Sequence, residues 1–315
     1  MKVGLIDVDG HNYPNLPLMK ISAWHKSKGD SVEWYDPMFG GHYDKVYMSK
    51  VFSFTPDYEY FVDADEIERG GTGYAIENVN GKEHYDKSKD KALPYEIEHI
   101  YPDYSLYPEQ TKDTAYGFLT RGCPRGCDFC IVKDKEGLCS RKVANLNEFW
   151  RGQKNIELLD PNILASKEWE ELLQQLIDSK ARVNFNQGLD IRMMTDKKAE
   201  MLSQIPIKAI HFAWDRYEDK DFIKPKFEEF RRVCKVRQKD LQVYVLCGDR
   251  ERVVRPEDLY RIYWLRENGY APYVMLYEKE KLPKGCDLLK LQRWVNNRFI
   301  FWKCQDFEEY KTKFI

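Results

Sequence analysis

From Tyr116 onward the chain alternates short apolar runs with amphipathic stretches, the pattern of βα units that build a parallel sheet. Residues 116–120 (YGFLT) form the first run and 156–159 (IELL) the second. Ser166 is placed to cap a helix over 166–178, where Trp169, Leu172, Leu173, Leu176 and Ile177 share one face. The pattern repeats with strands at 182–186, 209–214, 242–247 and 272–277. Helices follow them at 195–204, around 226–236, at 256–268 with Pro256 in its first turn, and at 288–297. Six units in roughly 165 residues are too few for a closed eight-fold barrel of about 250, so a partial, open barrel is expected.

The first third carries its own small Rossmann-like α/β pattern. A strand (KVGLIDV) precedes an amphipathic helix ending at Gly29, and SVEWYD and KVYMSKVF supply further strands. Residues 78–112 are polar, rich in tyrosine and punctuated by proline, which reads as a linker. The expected division is therefore a small α/β domain at 1–77, a linker at 78–114, the partial barrel at 115–285 and a C-terminal extension at 286–315 that packs on the barrel. In that extension Asn296, Asn297 and Arg298 are candidates to reach a substrate.

With 315 residues, 43% of them hydrophobic, there is material for a sizeable core, and Lys+Arg 50 against Asp+Glu 52 leaves no global field to recruit nucleic acid or an anionic membrane. Aromatic residues make up 14% of the chain and can stack on bases, but without a basic excess a nucleic-acid partner is disfavoured. No stretch approaches the roughly 20 apolar residues of a membrane span, and the N-terminus lacks the pattern of a secretory signal. A soluble, cytoplasmic protein is expected.

Eight cysteines are too sparse for a disulfide scaffold, and reducing surroundings would keep them as thiols. None precedes Cys123, and then Cys123, Cys127 and Cys130 fall together in RGCPRGCDFCIV, a C-x3-C-x2-C arrangement just after the first strand of the ladder. Loops at the carboxyl ends of parallel strands are where such folds gather their chemistry. Three thiolates can hold three irons of a four-iron cluster and leave the fourth open. With Cys139 recruited as a fourth ligand, the same residues could instead surround a structural zinc in a non-enzymatic binding module. The six histidines show no H-x-x-H or H-E-x-x-H pairing that would make a histidine metal site.

The spacing, with Phe129 before the last cysteine, resembles the signature of the radical S-adenosylmethionine superfamily. That resemblance implies a partial (β/α)6 barrel of the triose-isomerase type, matching the six units counted above. It also implies a [4Fe-4S] cluster on Cys123, Cys127 and Cys130 and S-adenosylmethionine chelated at the open iron. Reductive cleavage of the sulfonium would give a 5′-deoxyadenosyl radical that takes hydrogen from a substrate, small or macromolecular, with an external donor such as flavodoxin or ferredoxin supplying the electron. The protein's part would be to orient the cosubstrate and exclude water.

By the same resemblance, residues at the strand ends hold the cosubstrate. Phe129 would lie near the adenine, and Asp160, Asn186, Gln187, Arg192 and Trp214 follow the second to fourth strands as cofactor-binding candidates. Arg192 could meet a carboxylate with its planar fork, although Asp160 and Arg192 could equally serve in structural ion pairs. No residue is singled out as the group that completes catalysis on the substrate.

A small α/β domain before such a barrel is similar to the arrangement in cobalamin-dependent radical enzymes, some of which methylate. Cobalamin domains that ligate through histidine carry D-x-H-x-x-G after their first strand. Here Asp9 and His11 are in place, but Pro14 stands at the glycine, and Gly70 and Gly71 could be the later glycine pair of such domains. Cobalamin therefore stays an open alternative beside a structural role. The methylthiotransferase branch is disfavoured, because the first domain has no cysteines for the second cluster it requires.

Overall fold

The computed structural model describes residues 1–79 and 82–313. It divides into two compact units, Met1–Glu157 and Leu158–Ile315. Among the described residues no helix is long and apolar enough to cross a membrane.

The first unit opens with β1 (Lys2–Asp7), α1 (Leu16–Ser27), β2 (Ser31–Trp34), β3 (Tyr43–Ser49) and β4 (Ala64–Gly70). The four strands form one parallel sheet in the order β2-β1-β3-β4. Alternation along β1 sends Val3 and Leu5 to one face and Ile6 to the other. The first face packs against Leu18 and Ile21 of α1, and the second meets Tyr43, Val46, Met48 and Val62. Asn15 caps α1 by accepting from the Leu18 N–H at 3.2 Å. The segment expected as a linker is instead part of this core: Ile97 joins the first cluster, and Tyr107 is fully buried with its hydroxyl donating to Asp7 at 2.7 Å.

The hairpin β5 (Ile76–Val79) and β6 (Lys82–Tyr85) follows, with short helices α2 (Tyr95–Glu98) and α3 (Pro108–Thr111). The expected strand at 116–120 is split into β7 (Thr114–Gly117) and β8 (Thr120–Arg121). After α4 (Val132–Lys135), β9 (Arg141–Lys142) pairs antiparallel with β8, and β10 (Asn155–Leu158) lies beside β7.

The second unit begins at the last residue of β10. It runs α5 (Trp169–Ser179), β11 (Arg182–Phe185), α6 (Asp196–Gln204), β12 (Ile207–Ala213), α7 (Lys220–Val233), β13 (Leu241–Cys247), α8 (Pro256–Glu267) and β14 (Ala271–Leu276). Its strands β11 to β14 are parallel neighbours in sequence order, as the βα periodicity requires. One sheet face is sealed: Phe212 meets Phe227 and Phe230 of α7 edge-on. The Leu158 carbonyl accepts from the Asn186 N–H at 3.0 Å.

Two helix starts differ from the sequence reading. Helix α5 begins at Trp169, because Ile163–Ala165 take a 3-10 turn, and Ser166 lies ahead of the helix, donating to the Glu168 carboxylate at 2.7 Å and accepting from the Glu168 N–H at 3.3 Å. Helix α7 begins at Lys220 and carries Pro225 within it. The C-terminal helices α9 (Asp287–Asn296), α10 (Arg298–Lys303) and α11 (Phe307–Lys313) close the order. Asn296, a candidate for substrate, caps an exposed sheet edge: its side chain accepts from the Val274 N–H at 2.8 Å and donates to the Val274 carbonyl at 3.0 Å. Asn297 accepts from the Ile300 N–H, and Arg298 donates to the Lys239 carbonyl.

Candidate active site

The three clustered cysteines lie on one loop of the first unit, between β8 and β9. The antiparallel ladder closes the loop at its base, and the Cys123 N–H donates to the Gly137 carbonyl at 3.2 Å. Gly122, at φ +89°, is pressed so near the returning chain that a Cβ there would stand 2.2 Å from the Cys139 carbonyl oxygen. Glu136 then fastens the base, taking Arg121 Nη1 on one carboxylate oxygen at 2.9 Å and the Gly122 N–H on the other at 2.8 Å. The Arg121 guanidinium lies over the Phe118 ring at 3.5 Å. Sequence reasoning missed this pair, since two residues fifteen apart leave no periodic signal.

No disulfide engages any of the eight cysteines. Cys123, Cys127 and Cys130 are half-buried, and a turn joins Cys130 N–H to the Cys127 carbonyl at 3.0 Å. Burial pushes the Cys130 thiol up, as do the nearby charges of Cys123 and Glu136, while the Val132 N–H and Lys133 pull it down. Phe129 is half-exposed on the same loop.

Among the described residues no three His, Cys, Asp or Glu side chains are gathered closely enough to hold a metal ion. A structural zinc would need the sulfurs of Cys123, Cys127, Cys130 and Cys139 all drawn to about 2.3 Å from one centre. An iron–sulfur cage places each cysteine on a different iron and asks for wider spacing. The donor set fits such a cage by its chemistry: three thiols on one glycine-turned loop whose base is fixed, with the one carboxylate between them, Asp128, turned to solvent beside Lys133.

The other candidates lie at strand ends of the second unit. Asp160 is buried, Asn186 is half-buried and Gln187 is exposed. The Arg192 fork is engaged, with Nε donating to Asp190 at 2.8 Å and Nη1 to Asp219 at 3.1 Å. Trp214 is core: it is 1% exposed, packs edge-on to Trp264 and donates its indole N–H to the Arg216 carbonyl. Burial pushes the neighbouring Asp215 carboxyl up, opposed by the charges of Arg261 and Arg192. Arg261 itself, fully buried on α8, donates to the carbonyls of Trp214, Asp215 and Leu246 and pairs with the equally buried Asp258 at 2.6 Å. It ties the ends of β12 and β13 together, and only the i, i+3 spacing of Asp258 and Arg261 hinted at it.

In the first unit, Asp9 does not support His11. Its carboxylate instead accepts from the Val51 N–H at 2.6 Å and the Thr55 hydroxyl at 2.7 Å, holding the loop after β3. The His11 ring stacks on Trp34 at 4.2 Å. Gly71, at φ +101°, is required by its own chain, because a Cβ there would meet the Lys50 carbonyl oxygen at 2.3 Å. The residues present do not fit cobalamin ligated through His11.

No family model and no curated protein sequence matches the chain. Two solved structures share its fold. One is the radical S-adenosylmethionine methyltransferase TsrM from Kitasatospora setae, with cobalamin and a [4Fe-4S] cluster bound, at TM-score 0.61 and 12% identity over 87% of this chain and 72% of that one. The other is the cobalamin-dependent S-adenosylmethionine radical enzyme OxsB, with aqua-cobalamin and S-adenosylmethionine bound, at TM-score 0.55 and 11% identity over 96% of this chain and 56% of that one. The fold is therefore a mixed α/β fold with parallel sheets, shared with these two structures. At these identities the likeness concerns the fold.

Proposed function

We propose that the chain is a radical S-adenosylmethionine enzyme in which Cys123, Cys127 and Cys130 hold a [4Fe-4S] cluster. The observation that carries this reading is the thiol-only, base-pinned loop that follows a strand in a chain with the fold of such enzymes. When bound, the cluster supplies the electron for reductive cleavage of S-adenosylmethionine, so that hydrogen can be taken from a substrate. The chain's own work is to fix the loop through Glu136 and Arg121 and to keep polar groups such as buried Asp160 and half-buried Asp215 at the strand ends. Phe129, Asp160, Asn186 and Gln187 are the positions we assign to the cosubstrate. Arg192 would have to exchange Asp190 or Asp219 for a ligand carboxylate. In this reading the second unit belongs to a partial barrel, and a flavodoxin or ferredoxin donates the electron.

The test is anaerobic reconstitution with iron and sulfide, reduction with dithionite in the presence of S-adenosylmethionine, and chromatography for 5′-deoxyadenosine. Wild type should form it, and the triple variant Cys123→Ala/Cys127→Ala/Cys130→Ala should not. Equal behaviour of the two, or a colourless protein with one zinc and no sulfide, would overturn the reading.

A second reading, cobalamin-dependent methyl transfer, is favoured by the cofactor named for both fold neighbours. It requires a binding mode without His11, and a corrin retained through purification is the observation it needs.

A further inference from the structure

The carboxyl ends of β1 and β2 open onto a cavity of about 270 Å³ within the first unit. Crevices outside the carboxyl ends of a parallel sheet, beside the point where strand order reverses, are where α/β folds take small ligands. Here β1 has β2 on one side and β3 on the other, and the cavity lies at the ends of β1 and β2, beside residues 56–60 of the loop that leads to β4. Its chemistry is unusual for the position. Dinucleotide folds meet phosphate with glycines and an uncapped helix N-terminus. In this chain Asn15 already caps α1, Pro17 follows in its first turn, and no Lys or Arg is among the lining residues.

The walls are instead aromatic and acidic. Trp34, Tyr35, Tyr58 and Tyr60 line the space together with Asp7 and Asp57. The tyrosine rings stand across one another, at 90° between Tyr35 and Tyr58 and 70° between Tyr58 and Tyr60. The tyrosines thus pack edge to face on one another along the space, with Tyr60 largely exposed, while His11 covers one face of Trp34. Electron-rich ring faces attract a cation within about 6 Å of their centres, and the attraction grows when the cation is desolvated. Asp7 is buried at the floor beside Tyr107, and Asp57 is held at the rim by the Tyr74 hydroxyl.

We propose that this cavity binds a small organic cation of the substituted-ammonium type, caged by Trp34, Tyr35, Tyr58 and Tyr60 and neutralised by Asp7. The proposal stands apart from the iron–sulfur reading, since it uses neither the cysteine loop nor the second unit. Binding should tighten as pH rises, because an entering cation is best met by an ionised Asp7, whose carboxyl burial holds above the usual range.

Titration calorimetry of the full chain with choline, and with its uncharged carbon isostere dimethylbutanol, tests the assignment. One choline should bind per chain, with the isostere weaker by about ten-fold or more. Tyr60 is exposed, so Tyr60→Ala leaves the fold intact; it should weaken choline by about two- to five-fold, and Asp7→Asn, at a buried position, by about ten-fold. Equal binding of the isostere, indifference to both replacements, or no choline binding at millimolar concentration would overturn the proposal. So would hydroxocobalamin binding that Tyr60→Ala abolishes, which would give the cavity to a corrin. Iron content and 5′-deoxyadenosine formation report separately on the cysteine loop, so the two readings fail independently.

Discussion

Asp7 shows how one residue's role can be invisible in sequence. It sits near the end of an apolar strand with nothing in the sequence to mark it, yet folding buries it against Tyr107, a residue one hundred positions later. Burial pushes its carboxyl above the usual value of about 4, and the Tyr107 hydroxyl only partly offsets this. A carboxyl raised by folding binds its proton more tightly in the folded state. Its contribution is therefore present below the unfolded pKa and is lost as pH rises through the folded one. Asp7→Asn keeps an acceptor for Tyr107 and removes the titration. As pH rises from 4 to neutrality, wild type should lose stability relative to the variant, so the difference between their urea midpoints moves in the variant's favour across the window set by this upward shift. An unchanged slope would mean that Asp7 is ionised throughout. Arg192 teaches the complementary lesson: its place at a strand end and its neighbour Asp190 were legible, but its second acidic partner, Asp219, comes from the loop after β12, and no local pattern announces it.

At the scale of elements, periodicity located the strands and helices of the second unit well, because each buries one face and the sequence must alternate accordingly. The boundaries were less legible where side chains compete with the backbone, as Ser166 does by bonding Glu168. The segment at 78–114 was misread for a related reason. Its polar composition hid Ile97 and Tyr107, two anchors that tie it into a core it does not resemble. The cysteine loop was found by spacing alone, whereas the clasp that shapes it was not. Glu136→Ala would strip Arg121 and the Gly122 N–H of their acceptor, costing about 2–3 kcal/mol of loop closure. Because the loss is confined to the loop, thiol reagents should modify Cys123, Cys127 and Cys130 faster in the variant while the global urea midpoint moves little. Equal modification rates would show that the β8–β9 ladder suffices to hold the loop.

At the scale of the molecule, the parallel α/β class followed from the sequence, while the way the second unit locks its sheet did not. A buried ion pair is ordinarily weak support for a fold, since apolar residues of matching size often replace both partners at no net cost. Asp258 and Arg261 should depart from that rule. Arg261 satisfies three strand-end carbonyls besides its carboxylate, so removing the pair leaves the acceptors of Trp214, Asp215 and Leu246 facing an apolar side chain. Each orphaned group costs about 1–3 kcal/mol. Arg261→Met alone should destabilise by about 3–5 kcal/mol, because it also leaves the buried Asp258 carboxylate with Arg255 as its remaining charged partner, at 3.3 Å. The double variant Asp258→Leu/Arg261→Met should recover the part owed to that charge and still remain well below wild type in urea denaturation. Full recovery would mean that the strand ends of β12 and β13 find other donors. The clamp would then be an ordinary ion pair, and the ends that carry Asp215 would be held by packing alone.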